Sequence, residues 1–121
     1  MKIPLKLKGQ QVEIVAGIDL GTTNSLAAWV SEGVAQIIPD REGRRITPSV
    51  VNIDAEHHGV VGDDAQERAL VNPEGHLTSI KRFMGRSLDD VAAEAKAAPY
   101  RVVRGTRTEQ CSIRVHGKEY L

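Results

Sequence analysis

Two apolar runs, Val15-Ala16-Gly17-Ile18 and Leu26-Ala27-Ala28-Trp29-Val30, flank a short polar turn built from Gly21, Thr22, Thr23, Asn24 and Ser25. Each run is apolar at successive positions, which predicts strands covered on both faces within a layered sheet. After Ser31-Glu32-Gly33, the run Val34-Ala35-Gln36-Ile37-Ile38 predicts a third strand. Such short turns between strands suggest an antiparallel meander at one side of a larger sheet. Ahead of it, Ile3, Leu5 and Leu7 alternate with Pro4, Lys6 and Lys8. That alternation suits a leader over residues 1–11 that is either an edge strand with lysines on its open face or a disordered start.

The remaining pattern is more broken. Pro39 to Arg45 is a charged turn whose three arginines read as a solvated loop. Pro48 holds Thr47 extended and leads into a strand, Ser49 to Ile53. His57-His58-Gly59 marks a hairpin tip before Val60-Val61-Gly62. Asp64-Ala65-Gln66-Glu67 has capping-box spacing, which predicts a helix from there to Val71, ended by Pro73. Thr78 to Gly85 reads as a helical turn closed by glycine. Ser87 is placed to cap a helix over Leu88 to Ala98, stopped by Pro99. Tyr100 to Arg104, Gln110 to His116 and Glu119 to Leu121 read as strands. No repeat, low-complexity stretch or linker divides the chain.

Composition narrows the function classes. In 121 residues, 16 basic side chains balance 16 acidic ones. That balance gives no electrostatic case for nucleic acid or an anionic membrane as the main partner. One Trp, one Phe and two Tyr are too few for a base-stacking surface. The single Cys111 has no internal disulfide partner, which suits a reducing cytoplasm, and it reads best as a small buried residue in a strand. No run approaches the ~20 apolar residues of a membrane-spanning helix. Lys6, Lys8 and Glu13 interrupt any signal-peptide core. The paired His57 and His58 lack a third ligand at metal-site spacing.

The polar turn is where chemistry concentrates. A hairpin with Gly21, Thr22 and Thr23 at its tip offers several backbone N–H groups and two hydroxyls to one point, an anion site with phosphate as its usual guest. Asp19, beside a buried sheet, would be costly unless paired or bound to a metal. A hydrated magnesium ion bridging it to phosphates resolves that cost. A bare Asp-x-Gly is more often an ordinary turn. The turn here leads into a strand rather than a helix, so it is neither a Walker-type nor a Rossmann-type loop.

Gly17-Ile18-Asp19-Leu20-Gly21-Thr22-Thr23-Asn24-Ser25 resembles the first phosphate hairpin of the actin-like ATPases and, within them, the DnaK-type heat-shock chaperones. The resemblance continues through Arg45-Ile46-Thr47-Pro48-Ser49-Val50-Val51, Val61-Gly62-Asp63-Asp64-Ala65, Asn72-Pro73 and Ile80-Lys81-Arg82-Phe83-Met84-Gly85-Arg86. It implies an α/β fold of the actin-like, ribonuclease H-like kind, with a mixed sheet that begins in antiparallel hairpins. Residues 12–38 would give the first strands of lobe I. Residues 39–121 would form a smaller upper subdomain, with the chain ending before the lobe is complete.

The resemblance also implies ATP or ADP with magnesium as ligands. Asp19 would be the magnesium-associated aspartate, acting through water. Gly21, Thr22, Thr23 and Asn24 would hold the phosphates. Lys81 would be the lysine needed for hydrolysis, and Arg82 the arginine that shapes the cleft. Read from composition alone, Lys81-Arg82 is a solvated face. The implied partners are a J-type co-chaperone, a nucleotide-exchange factor, and an unfolded or scaffold-protein client. Met84-Gly85-Arg86-Ser87-Leu88 and Pro99-Tyr100 look more like the HscA branch, specialised for iron–sulfur cluster assembly. A stand-alone interaction module and another actin-like phosphotransferase are the competing readings.

Overall fold

The computed structural model describes the backbone of residues 2–7 and 10–121, and side chains from Val15 onward. Strands β1 (Lys2–Leu7), β2 (Gln10–Leu20), β3 (Asn24–Ser31) and β4 (Val34–Ile37) lie side by side in that order, with β5 (Thr47–Pro48) pairing against the start of β3. The leader thus pairs as a strand with β2, while the expected placement of its lysines concerns side chains outside the described residues. Strands β6 (Val50–Ile53), β7 (Gly59–Val61) and β8 (His76–Thr78) form a second sheet with β6 in the middle. Strands β9 (Arg101–Arg104), β10 (Cys111–Val115) and β11 (Lys118–Tyr120) form a third, with β10 in the middle.

A mixed sheet was expected, yet every described strand pair is antiparallel. Short turns dictate that for strands adjacent in sequence, because a parallel pair needs a crossover of a dozen residues or more, and β3–β5 and β6–β8 are antiparallel across longer connections. The two α-helices are short, α1 at Asp63–Glu67 and α2 at Ala92–Ala97.

The core lies between the second and third sheets. Ile53, Leu77, Phe83, Val91, Tyr100, Cys111, Ile113 and Val115 make one buried cluster. Cys111, Ile113 and Val115 alternate along β10, as a strand with one face on the core requires. Phe83 and Tyr100 meet edge to face at 6.0 Å, and the Tyr100 hydroxyl donates to Thr78 O. Cys111 is a buried free thiol whose Sγ lies 3.2 Å from Phe83 O. The first sheet is different. Of its apolar side chains, Ala16 is buried, while Ile18 is 62% exposed and Val30 61%. The expectation that β2 and β3 are buried on both faces therefore fails for these residues. Cover here is partial, since Ala16 is buried and Ser25 to Trp29 are half-buried while Ile18 and Val30 stand open.

Helix extents also differ from expectation. Helix α1 starts at Asp63, with Gly62 at its N-cap and no side-chain cap, so Asp64 is not the capping residue. It stops at Glu67, leaving Leu70 and Val71 exposed instead of carrying the helix to Val71. Thr78 belongs to β8, and only Ile80–Arg82 makes a 3-10 turn. Ser87 does accept the Asp90 N–H, as a capping residue would, but it also bridges to Gln110. Leu88 to Asp90 stay in a turn, and α2 begins only at Ala92. The charged turn is not simply solvated either. Arg44 pairs with Asp40 at 2.6 Å, Glu42 at 3.1 Å and Asp63 at 3.2 Å, tying the turn to the start of α1. Its hydrogen bond holds the Asp40 carboxyl below the usual carboxylate range.

Asn72, read from sequence only as part of an Asn-Pro element, has a definite structural task. Its Nδ2 donates to Asn52 Oδ1 at 2.8 Å and Ile53 O at 2.7 Å, while Asn52 Nδ2 returns a bond to Asn72 O at 3.0 Å. Asn52 is 1% exposed, so in the fold these partners take the place of water. Gly75 lets the turn close over them, since a Cβ there would stand 1.9 Å from Ile53 O. Asn72→Ala is expected to destabilise the fold by about 2–3 kcal/mol, the penalty of stranding a buried amide. A urea midpoint that falls with an unchanged slope would show this, and an unmoved midpoint would contradict it.

Candidate functional site

Strands β2 and β3 pair from Ala16↔Trp29 to Leu20↔Ser25, leaving Gly21, Thr22 and Thr23 as the tip. Glycine is needed at the turn because a Cβ on Gly21 would stand 2.1 Å from Asn24 O. Any other residue would push the tip open. Thr22 makes no hydrogen bond to another described residue, while Thr23 and Asn24 are exposed. Asp19 precedes the tip on β2, exposed and paired across the ladder with Leu26. The strand pleat places it on the face opposite Ile18 and Leu20.

The tip is braced from a distance. Ser49 Oγ donates to Gly21 O at 2.8 Å, and Ser49 N donates to Thr23 O at 2.8 Å. Ser25 Oγ lies 2.8 Å from Ser49 Oγ. With the Ser49 proton directed to Gly21 O, Ser25 is the donor in that contact. β5 supports the same contact through Asn24↔Pro48 and Ser25↔Thr47. Sequence reasoning named Thr47-Pro48-Ser49 as an extended entry to a strand and as part of a block resembling the family, with no role at the hairpin. Ser49 and Ser25 were missed as parts of the site, and no local signal marks them, because the hydrogen bonds span 28 and 24 residues.

Lys81 arrives at the same place from the 3-10 turn. Its Nζ donates to Leu20 O at 2.5 Å, across 61 residues of sequence. An ammonium carries three donors, so one bond to the backbone leaves two for another acceptor. Lys81, Leu20, Gly21, Thr22, Ser25 and Ser49 share a cavity of ≈ 260 Å³ with the apolar side chains of Pro48, Val50, Val61, Ile80 and Met84. Pockets that enclose a small ligand run to roughly 300–1,000 Å³. This one is smaller and mostly apolar, so it suits packing behind the hairpin better than holding a nucleotide.

Arg82 does not join Lys81. A 3-10 helix turns every three residues, so neighbours point about 120° apart. Arg82 lines a separate cavity of ≈ 240 Å³ with Thr78, Ser79, Phe83, Glu94 and Tyr100. Burial pushes the Tyr100 hydroxyl up to about 12 there, with the Arg82 charge pulling the other way. Asp19, Gly21, Thr22, Thr23 and Asn24 thus lie along one hairpin, Lys81 reaches its Leu20 carbonyl, and Arg82 is set apart.

The two histidines at the β6–β7 tip face different groups. His57 Nδ1 is 3.1 Å from the Tyr120 hydroxyl, and His58 Nδ1 is 3.6 Å from Asp54. No group of three or more His, Cys, Asp or Glu side chains fit for a metal occurs among the described residues.

The donors that are present fit phosphate. They are an uncommitted threonine at a glycine-tight tip and one ammonium held beside it. Comparison with known proteins places the chain in a family. The model of a family described as Hsp70 protein matches residues 15–121. Heat shock 70 kDa protein 7, chloroplastic, of Arabidopsis thaliana is 47% identical over 92 residues, covering 76% of this chain and 13% of the relative. The matched part is therefore a small fraction of that protein's length. The match across residues 15–121, with the 47% identity of this relative, shows that the chain belongs to the Hsp70 family.

Proposed function

We propose that this chain forms the N-terminal, phosphate-gripping part of the nucleotide-binding domain of an ATP-driven chaperone. The observation that carries the reading is the Lys81 ammonium held against Leu20 O at the base of the hairpin tip. The tip of a glycine-tight hairpin and a tethered cation make a site for an anion that gains charge during reaction. On this reading residues 12–38 belong to the lobe I sheet of a ribonuclease H-like fold, and residues 39–121 to its smaller subdomain. The buried cluster lies wholly within residues 39–121, and the first sheet is only partly covered, which supports that division.

Magnesium-ATP, when bound, supplies the terminal phosphoryl group and the charge that spreads over its oxygens. Gly21, Thr22, Thr23 and Asn24 orient that group through N–H donors and hydroxyls. Lys81 offers its remaining donors as a point cation that opposes the growing negative charge. Asp19 supplies the hard oxygen that a hydrated magnesium ion favours. Arg82 acts at a distance from this constellation, through the Tyr100 cavity that it lines.

The same reading implies a J-type co-chaperone, a nucleotide-exchange factor and a protein client as partners of the whole protein. The likeness of Met84-Gly85-Arg86-Ser87-Leu88 to the iron–sulfur-specialised branch supports a scaffold protein as that client. Steady-state ATPase of the full-length protein tests both levels. Stimulation by a J-type co-chaperone with a scaffold protein, and not with generic unfolded peptides, is expected. Stimulation by generic peptides alone would leave a general chaperone, and no response to either would remove the chaperone reading.

A further inference from the structure

Three carbonyls around the hairpin tip are held by donors from distant parts of the chain. Lys81 Nζ takes Leu20 O, Ser49 Oγ takes Gly21 O, and Ser49 N takes Thr23 O. A trans peptide unit is planar, so its C=O and N–H point in opposite directions. Holding the carbonyls of Gly21 and Thr23 therefore aims the N–H groups of Thr22 and Asn24 away from Ser49. Both of these peptide planes are set by one residue. The direction matters because an anion site is a set of N–H groups that converge. A tip free to rotate its peptides would lose that convergence. Thr23 and Asn24 are exposed at the tip, open to a ligand.

We propose that Ser49 is the positioning residue of the hairpin. Its hydroxyl and its N–H fix the planes of the Gly21–Thr22 and Thr23–Asn24 peptides, so that their amides face a nucleotide phosphate. Ser25 holds the Ser49 hydroxyl in the orientation that reaches Gly21 O. The inference rests on the reading of this hairpin as a phosphate grip, and goes beyond it by assigning the control of the grip to a residue 28 positions away.

The test measures affinity of the full-length protein for magnesium-ATP and for adenosine, which lacks phosphates. Ser49→Ala should lower the ratio of the two affinities by about tenfold, the size of one lost hydrogen bond to a charged group, and leave adenosine affinity within about twofold. Ser49→Thr keeps the hydroxyl and should restore the ratio to within about threefold of the wild type. A merely structural role would move both ligands together or neither. An unchanged ratio in Ser49→Ala overturns the proposal while leaving the phosphate grip intact. A wild type that binds adenosine as tightly as magnesium-ATP overturns the grip itself. Should Ser49→Ala not fold, Ser25→Ala carries the test. A smaller fall in the same ratio supports the proposal, and no fall overturns it.

Discussion

Lys81→Ala in the full-length protein is expected to leave magnesium-ATP binding within about tenfold of the wild type while hydrolysis falls at least ~100-fold. The asymmetry follows from where charge develops. A cation that gains most from charge built in the transition state contributes more to turnover than to ground-state affinity. The geometry gives Lys81 this opportunity, because its stem crosses from the 3-10 turn to the base of the hairpin. Single-turnover hydrolysis separates chemistry from binding and release. Near-normal turnover would return Lys81 to a solvated surface that happens to touch Leu20 O. Asp19→Asn is the useful contrast, since an amide is a poor ligand for a hard cation. It should flatten the magnesium dependence of nucleotide binding, and an unaltered magnesium titration would count against Asp19 as the magnesium-associated residue.

The 121 residues alone are expected to bind magnesium-ATP at millimolar strength or weaker, about −4 kcal/mol. The hairpin tip can meet phosphates from one side, and its associated cavity of ≈ 260 Å³ is largely apolar. Small-ligand sites bury most of the ligand surface, which a single hairpin cannot do. The first sheet adds a second difficulty. Val15, Ile18, Leu20, Val30, Val34 and Ile37 are all exposed, and the pleat sends Val15 to one face and Ile18 and Leu20 to the other. Apolar surface of this kind promotes association. Calorimetric titration with magnesium-ATP, beside light scattering, checks both points. A monomer that binds at micromolar strength would show that the site is complete within these residues.

Local chemistry made much of the fold legible. The β2–β3 hairpin follows from two apolar runs around a turn of small residues, and β10 from alternation around Cys111, Ile113 and Val115. Such signals sit within a few residues of each other. The three-residue strand β8 was not legible. His76-Leu77-Thr78 has a single large apolar residue, and it is a strand only because β6 lies beside it. The helices were overestimated for a related reason. Ser87 does accept the Asp90 N–H, yet its bridge to Gln110 holds the backbone out of the helix until Ala92. Asn72 is bound to Asn52 and Ile53, which anchors the chain just past Val71.

The site divides in the same way. Asp19 and Gly21 to Asn24 were readable because they are contiguous and the strands on either side place them. Lys81 and Arg82 are neighbours in sequence and were given one cleft, but a 3-10 turn separates their side chains. Ser49 and Ser25 act through hydroxyls that meet only after β5 pairs with β3. No spacing rule encodes that meeting. The resemblance to a family singled out Lys81, whose ammonium meets Leu20 O, and it offered nothing about the residues that hold the hairpin still.

The central claim is that the tip from Gly21 to Asn24 grips nucleotide phosphates through its backbone. Amide hydrogen exchange of the full-length protein, followed on peptides spanning residues 20–25, tests this most directly. With saturating magnesium-ATP, exchange at the tip should slow by about tenfold or more, as expected for N–H groups that gain an anionic acceptor. With saturating adenosine it should stay at the rate of the free protein. Equal slowing by both ligands, or slowing by neither, would contradict the account.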